Sequence, residues 1–142
     1  MILENIPVLH ADICLPTGRL YSLKSLQDTL ERYKDIDIPG QIGMPNVSQE
    51  ERDSWLLKND FNNIAFSSKL KSIVDNQLIA DITILNTSKG NWFKVQLANG
   101  NIVNPIFRTA AIVKTGRCRL DLSKAEVEIV ELLQINYISN PV

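Results

Sequence analysis

The stretch Ile64-Ala65-Phe66-Ser67-Ser68-Lys69-Leu70-Lys71-Ser72-Ile73-Val74-Asp75-Asn76-Gln77-Leu78-Ile79-Ala80-Asp81-Ile82-Thr83-Ile84 decides the fold class. Ile64, Phe66, Ser68, Leu70 and Ser72 share one strand face, and Ala65, Ser67, Lys69, Lys71 and Ile73 share the other. Asp75-Asn76 is turn chemistry, and Leu78, Ala80, Ile82 and Ile84 run back with the same period of two, so the stretch predicts a β-hairpin. Upstream, Ser22 can cap a helix whose Leu23, Leu26, Leu30 and Tyr33 fall on one face. Lys24, Gln27, Asp28 and Glu31 occupy the opposite face, which predicts an amphipathic helix of about three turns.

Around these two elements the chain reads as further strands and short helices. Ile6 to Leu15 is apolar enough for a strand, ended by Pro16-Thr17-Gly18. Pro39-Gly40 reads as a break, with Ile42 to Val47 a loop and Ser48-Gln49-Glu50-Glu51 a capping-box start for another helix. Trp92 to Leu97 is short and either helical or extended, stopped by Asn99-Gly100. Ile102 to Val113 is an apolar strand interrupted by Pro105; the missing N–H there predicts a sheet edge or a bulge. The last segment carries two signals. Ser123 to Glu126 is a second capping box, whereas Val127, Ile129, Leu133, Ile135 and Tyr137 alternate as a strand does. Its isoleucine, valine and tyrosine content favours the strand.

Composition narrows the function classes. A chain of 142 residues can bury a sizeable core, and with no repeat or linker it reads as one unit over 1–142. The net charge of −1 speaks against a nucleic-acid-binding surface. Cys14 and Cys118 make no disulfide framework. Met1 to Asn5 lacks a basic n-region, and no apolar run is long enough to span a bilayer. These features predict a chain made and folded in a reducing cytosol, with no membrane partner.

Three landmark stretches, in order, are Thr17-Gly18-Arg19-Leu20-Tyr21, Pro39-Gly40-Gln41-Ile42-Gly43-Met44-Pro45 and Ile106-Phe107-Arg108. Their order and spacing resemble the landmark segments of tailed-phage prohead proteases, the serine enzymes that trim capsid precursors. In that family the first stretch opens a helix, the second carries the catalytic histidine, and the third carries the nucleophile in a Ser-Ser-Arg-Gly run. The resemblance extends over the helix from Thr17 to Tyr33, the hairpin from Ile64 to Leu85, the strand from Ile102 to Ile112 and the closing Ile138-Ser139-Asn140-Pro141. It implies an α+β fold: a curved, mostly antiparallel sheet or small β-barrel with two or three short helices. It also favours the strand reading of the last segment.

The catalytic groups do not carry over. Met44 stands at the histidine position, and a thioether cannot accept and return a proton at neutral pH. Ile106 and Phe107 stand in the nucleophile region and offer no nucleophilic atom. No histidine lies near Met44, and no serine lies between Gln96 and Thr115. His10, the chain's single histidine, precedes the opening motif and reads as a polar residue on an early strand. Thr109, the nearest hydroxyl, reads as a strand residue. Ser67-Ser68-Lys69 and Ser88-Lys89 suggest Ser-Lys dyads, but Ser68 and Lys69 point to opposite strand faces. One histidine and two distant cysteines give a metal site no support. Gly40-x-x-Gly43 lacks the lysine of a phosphate loop, and Glu126, Glu128 and Glu131 suit a solvated face. No cofactor is expected.

These readings predict a non-catalytic phage virion protein, specifically a capsid decoration or cement protein on an inactive protease-like scaffold. Its expected partners are the major capsid protein and further copies of itself in a symmetric oligomer. It would be made in the host cytoplasm and located in the virion. Large apolar side chains nominate the contacts: Trp55, Leu56 and Leu57, then Trp92 and Phe93, and the Pro105 edge. Trp55-Leu56-Leu57 reads more readily as a cluster closing the core, since isolated apolar clusters usually pack inward. The alternatives are an active prohead maturation protease with displaced catalytic residues, and a cytosolic protein-binding module unrelated to phage.

Overall fold

A computed structural model describes residues 1–12, 19–43, 63–117 and 125–138. Among these residues are seven strands, arranged as two sheets, and two helices: β1 (Ile2–His10), β2 (Arg19–Tyr21), α1 (Leu23–Tyr33), β3 (Ile38–Gln41), β4 (Ile64–Val74), β5 (Gln77–Ile84), α2 (Ser88–Ala98), β6 (Ile106–Arg117) and β7 (Ala125–Ile138). One sheet has the order β1-β5-β4-β3 and the other β2-β7-β6. All strand pairs are antiparallel except β2 with β7. The α+β expectation holds in this form. The barrel alternative is corrected: β1 and β6 lie against each other without strand pairing among the described residues, so the sheets stay open at that seam.

The predicted hairpin is β4–β5. Asp75 and Asn76 adopt φ of 51° and 62°, between Val74 and Gln77, which pair with each other. Two consecutive left-handed residues match the right-handed strand twist, the reason Asp and Asn favour such two-residue turns. Phe66, Ser68 and Leu70 are buried while Lys69 and Lys71 are exposed, as the alternation required. α1 also forms as read: the Ser22 hydroxyl accepts from the Ser25 N–H at 3.1 Å, and Leu26 is fully buried. α2 starts earlier than the apolar residues suggested. Thr87 caps it by accepting from the Gly90 N–H at 3.0 Å and donates its own proton to the Ile64 carbonyl at 2.6 Å.

Several boundaries differ from the sequence reading. β1 begins at Ile2, because Asn5 forms a left-handed bulge (φ 56°) that keeps the strand in register past its polar residues. The Asn5 N–H donates to Asp81 Oδ1 at 3.0 Å, and Lys71 Nζ reaches Asn5 Oδ1 at 2.8 Å. Pro105 precedes β6 instead of interrupting it, following Asn104 at φ 51°. The last segment is a strand, as its alternation favoured: Glu126, the end of the rival capping-box match, pairs with Gly116 in β7. The helix expected from Ser48 lies outside the described residues.

The largest correction concerns Pro39-Gly40, which sits in a strand instead of breaking the chain. β3 is an edge strand, where a residue without an N–H is tolerated. Gly40 allows β3 to cross close over β7; a Cβ at this position would overlap the carbonyl oxygen of Ile135. β3 then continues into hydrogen bonds with β7. The Gln41 N–H donates to Asn136 Oδ1 at 2.8 Å, and the Gly43 N–H donates to the Tyr137 carbonyl at 2.6 Å.

Gly40→Ala should therefore destabilise the protein by roughly 1–3 kcal/mol or more, since the neighbour is backbone and cannot rotate away. Urea unfolding followed by circular dichroism reads this directly. A midpoint equal to that of the unsubstituted protein would mean that β3 and β7 do not approach as described.

Candidate functional site

The second and third landmark stretches converge on one residue of β7. Tyr137 pairs with Phe107 of β6 on one side and bridges Ile42 on the other, where the Gly43 N–H also reaches its carbonyl. The strand that would present a nucleophile and the loop that would present a histidine are thus held one strand apart. Met44 itself lies outside the described residues.

Phe107 is fully buried and packs edge-on against Phe66, with ring centroids 5.0 Å apart. Phe93 of α2 completes the cluster at 4.9 Å from Phe66 and 5.0 Å from Tyr137. Edge-to-face aromatic pairs add about 0.5–1.5 kcal/mol each beyond the area they bury. Ile106 is half-buried and pairs with Ile138. Of Ile42, Ile106, Phe107 and Tyr137 at this junction, only the tyrosine carries a hydroxyl.

His10 lies on an early strand as read, and it lines a pocket of about 390 Å³ with Pro7, Leu9, Tyr21, Gln77, Arg108 and Thr109. The pocket occupies the seam where β1 approaches β6. His10 Nδ1 lies 2.7 Å from the Ala11 carbonyl oxygen. A carbonyl only accepts, so Nδ1 is the donor in this contact. The sequence held each of these residues, but their meeting depends on the apposition of two sheets. No local pattern signals it.

The nominated contact residues separate. Trp92 is 48 % exposed on the outer face of α2, and Val95, one turn on, is 52 % exposed. Phe93 is corrected: it is fully buried in the aromatic cluster, because adjacent helical residues point in different directions. Pro105 is half-buried in the turn before β6. Trp55, Leu56 and Leu57 lie outside the described residues. Val95 was missed by the reading of the sequence, as was the exposed Val103 that follows the helix. An i, i+3 apolar pair centred on an exposed tryptophan is a signal that could have found Val95.

Among the described residues no cluster of three or more His, Cys, Asp or Glu side chains could hold a metal, and no helix is long and apolar enough to cross a membrane. Ser68 is fully buried and Lys69 is exposed, which separates the dyad that their adjacency suggested.

No family model and no curated protein matches the sequence. Among solved structures, the fold is similar to that of the bacteriophage T4 capsid assembly protease, gp21. The TM-score is 0.71 over 99 % of this chain and 92 % of that one, at 12 % sequence identity. A prohead-protease-like fold is thereby supported.

Phe107→Ser, which places a hydroxyl in the nucleophile region, should cost roughly 3–5 kcal/mol by emptying the centre of the aromatic cluster. Trp92→Ala should cost no more than about 1 kcal/mol. Equal losses for the two in chemical denaturation would contradict the assignment of one to the core and the other to the surface.

Proposed function

We propose that this chain is a phage capsid-associated structural protein, a decoration or cement protein built on a prohead-protease-like scaffold that does not catalyse proteolysis. The observation that carries this reading is the position of Phe107. A nucleophile must meet substrate, whereas the side chain here is sealed among Phe66, Phe93 and Tyr137. Met44, at the histidine position, adds a residue type that cannot act as a base. Catalytic groups act as a unit, so the loss of either one leaves little for the other to do.

The fold itself motivates the capsid as partner, since the T4 protein to which it is similar is a capsid assembly protease. A non-catalytic relative can retain the surface that meets the shell. Trp92 and Val95 on α2 supply the apolar anchor expected of such a contact. Repeated sites on a symmetric shell then add many weak contacts into stable occupancy.

The competing reading is an active maturation protease, favoured by the enzymatic nature of the T4 protein. Copy number separates the two. A decoration protein should be found intact and in high copy in purified mature particles by quantitative mass spectrometry, and on the shell by electron microscopy. Recovery only as fragments, absence from particles, or serine labelling by a fluorophosphonate probe would favour the protease. Met44→His alone should yield no cleavage of a capsid precursor. In the same particles Trp92→Ala should lower occupancy several-fold without loss of folded protein; unchanged occupancy would remove α2 from the contact.

A further inference from the structure

The pocket at the β1–β6 seam has a chemistry that the structural role above does not use. Its polar side chains converge from four elements: His10 from β1, Tyr21 from β2, Gln77 from β5, and Arg108 with Thr109 from β6. None of the described lining residues is acidic, and Arg108 brings a permanent positive charge. Its walls include the apolar surfaces of Pro7 and Leu9. Mostly concave, partly apolar pockets of a few hundred Å³ with a few convergent polar groups are the usual form of small binding sites.

We propose that this pocket binds the free C-terminus of a polypeptide whose last residue is apolar. Three features select that ligand. Arg108 donates from Nη1 to the Phe107 carbonyl at 3.0 Å and carries further guanidinium donors suited to a carboxylate, with no acid among the described lining residues to neutralise it. His10, whose Nδ1 donates to the Ala11 carbonyl, offers Nε2 as an acceptor in its neutral form. An acceptor beside a carboxylate-binding cation suits a ligand that carries a donor next to its carboxylate, as the last amide N–H of a peptide does. Pro7 and Leu9 then take the terminal side chain. Capture of a terminal carboxylate is an established mode of peptide recognition. The open seam between the two sheets leaves room for the chain to leave the pocket in an extended conformation.

The test uses the full chain and three fluorescein-labelled hexapeptides ending in leucine: a free acid without acidic side chains, its C-terminal amide, and the amide of a variant with one internal glutamate. Fluorescence anisotropy should show the free acid binding at least roughly tenfold more tightly than either amide, the discrimination expected of one charge-assisted contact. Arg108→Gln should weaken the free acid by a similar factor while leaving the thermal midpoint unchanged, since Arg108 is exposed. Lys114→Gln, which removes an exposed cation of the same strand outside the pocket, should leave the affinity as it was. Isovalerate should compete only weakly, because it lacks the amide donor. Equal binding of acid and amide, preference for the internal glutamate, equal losses from the two cation variants, or no binding at millimolar peptide would each overturn the proposal.

Discussion

β7 is the strand on which the other elements depend, because both of its edges must be satisfied. β6 pairs with one edge along nearly the whole strand. The other is shared in sequence by β2, α1 and β3. Arg19 to Tyr21 pair in parallel with Ala125 to Val127. Arg32 then donates to the carbonyls of Ile129 and Val130, at 3.3 and 2.6 Å, and the Tyr33 hydroxyl accepts the Leu132 N–H at 3.0 Å. Finally Asn136 and Tyr137 receive β3 through the N–H groups of Gln41 and Gly43. A buried backbone group without a partner costs on the order of a hydrogen bond, so this division of one edge fixes where the helix and both short strands must lie.

The same arrangement explains how a protease-like scaffold can hold its shape with a core side chain in the nucleophile region. Tyr137 joins the second and third landmark stretches by backbone bonds, which are indifferent to side-chain identity. Phe107 packs with Phe66, Phe93 and Tyr137, tying α2, β4, β6 and β7 into one apolar centre. Burial of this kind opposes access by substrate, and that physical conflict underlies the structural role proposed for the chain.

The opposite seam is built differently. β1 carries Pro7, which has no N–H to offer a further strand. β1 and β6 lie against each other without strand pairing among the described residues, and a pocket remains between them. Polar residues from both sheets gather there because the seam lacks the continuous ladder that would otherwise close it. Openness at this edge and closure along β7 are thus two consequences of where backbone pairing is available.

Local chemistry determined much of this fold. Period-two burial with Asp75-Asn76 specified the hairpin, because two small polar residues that tolerate left-handed φ suit its turn. Ser22 and the spacing of Leu23, Leu26 and Leu30 specified α1, because capping and a 3.6-residue period are properties of neighbouring residues. The order of three landmark stretches was also legible, and with it the protease-like scaffold. Tertiary structure alone decided the rest. Pro39 and Gly40 are turn formers by local preference, yet they lie in a strand because an edge tolerates the proline and the approach to Ile135 requires the glycine. Trp92 and Phe93 are alike in sequence, but only the packing of α2 on β4 sends one to solvent and the other to the core. His10 and Arg108 stand 98 positions apart and share a pocket only because two sheets meet. Contacts of that separation are fixed by the global arrangement of strands, which no short window of sequence contains.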